Sequence, residues 1–249
     1  MEVNIQGAPI YFTIPILGGI PISATLVVTW LVMAIITGLC LWLTSDLKVT
    51  DVSKKQAVAE FLVETARNFT IGNMGEKFAY FVPFVAALFS LSIFSNLISL
   101  LGVFSPTADL STEAAWAVVV FILITYNKIK AGGVLGYLKG FTEPIPVLTP
   151  FNILSELATP ISMACRHFGN ILSGTVINAL IYGALAVASH ALFGLLPGLL
   201  GDILGEIPFL MVGVPAVASL YFDWFSGFMQ AFIFCMLTTM YIANAAESE

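Results

Sequence analysis

The chain has 249 residues, 59% of them hydrophobic and 10% charged, with a mean hydropathy of +0.98. A water-soluble domain of that composition would leave large apolar patches in water, so lipid is the natural solvent for this chain. A formal charge of −6, with only nine Lys and Arg residues, offers no basic face and excludes a nucleic-acid partner.

The position of the charges carries more than their sum. Lys48, Lys54, Lys55, Arg67 and Lys77 fall in one polar segment, and Lys128, Lys130 and Lys139 in another. The positive-inside rule places both on the cytoplasmic side. Glu2, the Asp109/Glu113 segment and the Asp202/Glu206 segment carry acids without Lys or Arg, and are placed outside. Cys40, Cys165 and Cys235 sit in apolar runs without paired spacing and read as small buried residues. No zinc or haem motif occurs, so no metal or cofactor is expected. The N-terminus lacks a basic n-region, which argues against a cleaved signal peptide.

In chain order, residues 1–20 form an outer N-terminal segment. A first span, which needs about 20 apolar residues, is predicted from about Pro21 to Thr44. In residues 51–75, Val58, Phe61, Leu62 and Ala66 recur at helical spacing among charges. That segment is predicted as an amphipathic helix on the cytoplasmic surface. A second span follows from about Phe78 to Leu101, then an outer loop containing Ser105-Pro106-Thr107-Ala108-Asp109. The third span, Ala114 to Tyr126, is short, so its ends extend into polar neighbours. The glycine-rich inner segment from Gly132 to Gly140 reads as a turn. A long helical region covers about Pro150 to Ser189, a Gly/Pro-rich outer connection follows, and a last helix covers about Pro208 to Ala246.

The expectation is an all-α membrane protein forming a single domain over 1–249. It has five transmembrane helices plus one amphipathic surface helix, with the N-terminus outside and the C-terminus cytoplasmic. Residues 150–246 form a helical hairpin whose arms are about 40 residues each. That is roughly twice a perpendicular span, so the last two helices are long and tilted. No internal repeat is present, which weakens a transporter built from inverted halves.

Arg166 lies far from either end of an apolar helix. A charge there costs at least ~2.5–3.5 kcal/mol on insertion scales, and a guanidinium cannot shed its proton. It must face protein or water. Ser162, Arg166, Asn170 and Ser173 share one helical face, with Glu156 close to it. The last helix carries a matching stripe of Ser219, Asp223, Ser226 and Gln230. If Gln230 is level with Arg166, Asp223 lies about 10 Å further outward at helical rise. Two polar paths then approach one fixed positive charge: an outer one through Asp223, Asn170 and Ser173, and an inner one through Ser162 and Glu156.

The segment from Arg166 to Asn170 reads RHFGN and resembles the Arg-Leu-Phe-Gly-Asn motif of subunit a of F-type ATP synthases. Pro160-x-Ser162, PTADLS around Asp109, Asn96 in FSNLISLLG, and QAFIF from Gln230 to Phe234 resemble family features in the same order. The resemblance spans about residues 20–245. It implies an ion-translocating stator subunit that stands beside a rotating c-ring and a subunit b stator stalk in a bacterial inner (plasma) membrane. The c-ring carboxylates would carry H+ or Na+. Arg166 would be the essential charge facing them, between two offset half-channels, with Asp109 in the outer loop. The chain has no GxxxxGK[ST] phosphate loop, so no nucleotide site and no catalysis of its own are expected.

Two positions depart from the family pattern. His167 stands where Leu is usual; it is rotated by about 100° from Arg166 on a helix, toward lipid or another helix, and is assigned no role. Thr175 stands where many members carry His or an acid facing the Asp223 position, so the outer path rests on Asp223 without that partner. The alternative reading is a secondary transporter with a midplane Arg/Asp site, which would bind a substrate and need no ring. An intramembrane hydrolase fits poorly, because His167 and Ser162 lie on one helix and off each other's face.

Overall fold

Three small polar residues punctuate the chain before its helices. Ser23, Ser53 and Asp109 each turn a side-chain oxygen back onto a free backbone N–H, of Leu26, Gln56 and Ser111 respectively. The helices they open are α1 (Ala24–Leu43), α2 (Lys54–Met74) and α4 (Leu110–Gly140). Between α2 and α4 lies α3 (Val82–Leu97), entered through a tight turn at Glu76–Phe81 and extended by another at Ile98–Leu101. The chain then forms α5 (Thr149–Phe193), a wider turn at Leu220–Ser226, and α6 (Gly227–Glu247). This computed structural model describes residues 8–15, 19–193 and 220–247.

Among the described residues, five helical stretches are long and apolar enough to cross a membrane: Ala24–Leu43, Glu76–Leu101, Leu110–Gly140, Pro146–Leu192 and Trp224–Glu247. The protein is therefore an all-α membrane protein with the five expected spans. The expected start of the last helix, near Pro208, and the outer connection before it lie outside the described residues, as does Ser219.

The structure corrects the sequence reading in two places and adds to it in a third. Residues Gly132 to Gly140 are mostly helical, and the expected turn shrinks to a kink at Gly133 that joins two helical pieces of α4; its φ of 71° is one that only glycine adopts cheaply. Cys40 and Cys165 are exposed, and only Cys235 is buried. The segment before α1 is not featureless. Strands β1 (Ile10–Ile14) and β2 (Ile20–Ser23) pair antiparallel, with Thr13 opposite Pro21 and Ile14 opposite Ile20. The run Ile10-Tyr11-Phe12-Thr13-Ile14 is rich in β-branched and aromatic residues, which favour a pleated strand.

Helix α2 carries few buried side chains. Its far end packs inward, with Phe69 against Phe89 of α3 and Phe232 of α6. Val58, Phe61 and Leu62, the apolar face expected to meet the bilayer surface, are left uncovered by protein. The main core joins α3, α4, α5 and α6 through Val85, Val120, Ile124, Met163, Ala164 and Phe234. Helix α1 stands to one side and meets α3 through Val28, Val32 and Ile98.

Candidate functional site

Helix α5 contains Pro160 and continues for 45 residues. Arg166 is exposed on it and has no hydrogen-bond or ion-pair partner among the described residues. Ser162, one turn before, and Ser173, two turns after, are exposed as well. Three residues of the expected face, Ser162, Arg166 and Ser173, are thus uncovered by the described residues; the fourth, Asn170, is not.

Asn170 is half-buried and reaches across to α6. Its Nδ2 donates to Gln230 Oε1 at 3.4 Å, and its Oδ1 accepts from Ser226 Oγ at 3.2 Å. Gln230 is thus level with Asn170, one helical turn from Arg166, rather than with Arg166 itself. Ser173 and Thr175 turn their hydroxyls back onto α5, donating to the carbonyls of Asn170 and Ile171. Asp223 falls in the wide turn Leu220–Ser226, a form of helix often found at functional sites; its side chain lies outside the described part of the structure.

The junction between that turn and α6 is held by a buried polar knot. Asn96 Nδ2 donates to the Gly227 carbonyl at 2.8 Å, and Asn96 Oδ1 accepts from Thr107 Oγ1 at 2.5 Å. Ser105 lies 2.7 Å from Thr107 and donates to the Ser95 carbonyl at 2.6 Å. Gly227 eases this approach, because a Cβ there would stand 3.1 Å from Asn96 Cβ, tighter than ordinary van der Waals contact. Asp109, expected on the ion path, caps α4 and accepts a 2.8 Å hydrogen bond from Thr25 Oγ1 of α1.

Two sets of clefts flank the Arg166 position along α5. On the Asp109 side, a cleft of 220 Å³ is lined by Asn96, Ser99, Ser105, Asn170 and Thr175, among others. Toward the lysine-bearing end, a cleft of 190 Å³ is lined by Lys128, Glu156, Thr159, Tyr241 and Asn244. A wider one of 540 Å³, lined by Gly132, Tyr137, Asn152 and Ser155, shares Lys128 and Glu156 with it. Glu156 is ion-paired to Lys128, its two oxygens 2.8 and 2.6 Å from Nζ. Ser162 lines none of these clefts.

The sequence reading missed one feature altogether. Glu113, read as an acid of the outer segment, is 0% exposed, and so is His167. The His167 Nδ1 lies 2.8 Å from Glu113 Oε2. Trp116 and Phe234 enclose the imidazole at ring-centre distances of 6.2 and 5.6 Å. His167 therefore faces helices α4 and α6 rather than lipid. The available signal was chemical and weak: each is an ionisable residue bordering an apolar helical run, and a buried charge needs a partner.

Fold and site together define a polytopic membrane protein with a lone arginine on an apolar helix, placed between polar clefts at opposite ends. A family model described as ATP synthase A chain matches residues 26–243. The chain is 34% identical over 234 residues to ATP synthase subunit a 1 of Chlorobaculum parvum, covering 93% of this chain and 92% of that one. It is 31% identical to ATP synthase subunit a of Desulforamulus reducens, covering 93% and 82%. It is 32% identical to a Propionigenium modestum protein named ATP synthase subunit a, sodium ion specific, covering 91% and 75%. The chain belongs to the ATP synthase subunit a family. It is a multi-pass protein of the cell membrane, and ion translocation by an ATP synthase is the work its family implies.

Proposed function

We propose that this chain is the ion-translocating stator subunit of an F-type ATP synthase, with Arg166 as its essential charge. The observation that carries the reading is the exposure of Arg166 on α5, between an Asn170-side cleft and a Glu156-side cleft that share no lining residue. The lysine-bearing end is cytoplasmic by the positive-inside rule, which sets the N-terminus outside and the C-terminus inside.

In this mechanism an H+ or Na+ ion enters from outside through the cleft at Asn96, Asn170 and Thr175, with Asp223 on its path. It neutralises a carboxylate on a c-ring standing against α5, and the ring turns through lipid. On its return that carboxylate meets Arg166. The guanidinium favours the ionised form, so the bound ion is released. It leaves through the cytoplasmic cleft beside Glu156, Thr159 and Tyr241. The fixed cation also blocks a direct leak between the two clefts. The driving force is about 2.3 kcal/mol per charge per 100 mV. A subunit b stalk would hold the chain still against the ring.

The pairing of Asn170 with Gln230 and Ser226 supports the outer path, because it aligns polar groups of α5 and α6 one turn from Arg166. The test is ion-driven ATP synthesis in reconstituted vesicles carrying the whole enzyme. With Arg166→Ala, coupled synthesis is expected to vanish while the complex still assembles. Normal coupling in that variant refutes the proposal.

A further inference from the structure

We infer that Glu113 and His167 act as a positioning pair for Arg166. In this inference one shared proton makes them a net-neutral contact that fixes the rotation of α5 and keeps the guanidinium turned toward the rotor. The inference rests on the reading of Arg166 given above and adds residues that reading does not use.

Both side chains are wholly buried, with Nδ1 and Oε2 2.8 Å apart. The contact is close without the alignment of a full hydrogen bond, and Oε1 and Nε2 find no hydrogen-bond partner among the described residues. Neither group has another ion-pair partner there. An ion alone in such a place is strongly penalised, and removal of one partner leaves the other uncompensated. Carboxylate and imidazole with one proton between them carry no net charge. With no proton, the pair would set a negative charge beside the guanidinium and offset the field that Arg166 presents. Neutrality leaves Arg166 the only fixed cation on α5 between Glu156 and His190.

The geometry links the pair to Arg166 through one peptide unit. His167 is turned about 100° from Arg166 on the helix. An imidazole anchored between Glu113, Trp116 and Phe234 therefore holds Arg166 on the exposed side, a little over a quarter turn round the helix. Helix α5 needs an anchor at this point. Pro160, less than two turns earlier, removes a hydrogen bond from its ladder. Gly169 has nothing within 4 Å of the place a Cβ would occupy, so that side of the helix adds no packing of its own.

The experiment uses inverted membrane vesicles carrying the whole ATP synthase. ATP-driven uptake is followed by acridine-dye quenching for H+ and by radiolabelled Na+, and normalised to assembled complex. Five variants are compared: Glu113→Leu, His167→Leu, the double Leu variant, the swapped pair Glu113→His with His167→Glu, and Arg166→Ala. Each single Leu variant is expected to pump about tenfold less per assembled complex, the scale on which residues in contact are coupled. ATP hydrolysis should continue. The double Leu and swapped variants are expected to recover to within about twofold of the parent, because each restores neutrality. A role in stability alone would lower the amount of complex and leave pumping per complex unchanged; that result overturns the inference. So does a double Leu variant no better than the worse single one. If the single variants fail to assemble, the swapped variant decides, and its failure to pump overturns the inference. Normal pumping by Arg166→Ala would instead overturn the stator reading itself.

Discussion

Helices α5 and α6 are similar in composition and opposite in situation. In the most apolar stretch of α6, 44% of residues are buried inside the protein; in that of α5, 6% are. Helix α6 turns Ala231, Phe234, Cys235, Thr238 and Thr239 into the core. Its small residues let α3 and α4 approach closely, which is how helices associate in lipid. Helix α5 leaves Leu154, Leu157, Ile161 and Leu180 uncovered, together with Arg166. Helix α5 still gives Met163 and Ala164 to the core, but most of its apolar stretch is uncovered on the side that carries Arg166. One arm of the hairpin is packed along much of its length, and the other is packed along one narrow stripe.

That contrast predicts that substitutions on α5 and α6 fail in different ways. The largest effect should come from Arg166→Ala: coupled synthesis falls to background in vesicles, while the yield and melting temperature of the detergent-purified complex stay at parental values. A parallel fall in stability would show that Arg166 is held by the chain and would erase the contrast. On α6, Phe234→Ala removes a ring that touches His167 and Trp116. It should cost about 3–5 kcal/mol, as large-to-small core changes do. Thermal unfolding would read this as a lowered midpoint and as less complex in the membrane.

Much of this division was legible in the sequence, and the rest was hidden for physical reasons. Hydropathy found the five spans, because lipid demands long apolar helices with every backbone group satisfied. The spacing of Ser162, Arg166, Asn170 and Ser173 put them on one face of α5, since helical periodicity needs no knowledge of neighbours; three of the four are exposed, and Asn170 turns to α6. The segment from Gly132 to Gly140 was read as a turn because glycine weakens a helix on its own; the break is there, but it is confined to the kink at Gly133, and helix resumes beyond it. The level of Gln230 could not be read from one helix, because the relative slide of α5 and α6 is set by contacts such as Asn170 with Ser226. The burial of Glu113 was hidden for the same reason. Its sequence neighbours Asp109 and Ser111 are polar, and only the fold shows that it points at His167. Asp109 itself is a cap and a tie to Thr25, roles that compete with a place on the ion path.

Two smaller effects sharpen the boundary between the arms. Gly227→Ala should strain the knot at the head of α6, where the new methyl meets Asn96 Cβ at 3.1 Å. Overpacking of this kind costs about 1–3 kcal/mol. Because Asn96 also lines the 220 Å³ cleft, ion flux should slow as well. A melting temperature equal to the parent's would mean that the helices part easily at this point. Asp223→Asn should slow ion flux without altering stability, and an unchanged rate would remove Asp223 from the outer path.

The smallest effect is the most discriminating. Ile161 is 62% exposed and Leu157 52%, both on α5 and both large apolar residues. If this face meets only lipid, Ile161→Ala should change nothing beyond the roughly ±0.5 kcal/mol of a surface substitution, and pumping should be unaffected. If a ring of other subunits slides along it, the isolated chain should still be indifferent to the change, but the assembled enzyme should lose contact area next to Arg166. Comparing the melting of the isolated chain with that of the assembled complex separates the two. A shift confined to the complex would mark α5 as a partner-facing helix, while equal indifference in both would leave lipid as its only neighbour at Ile161.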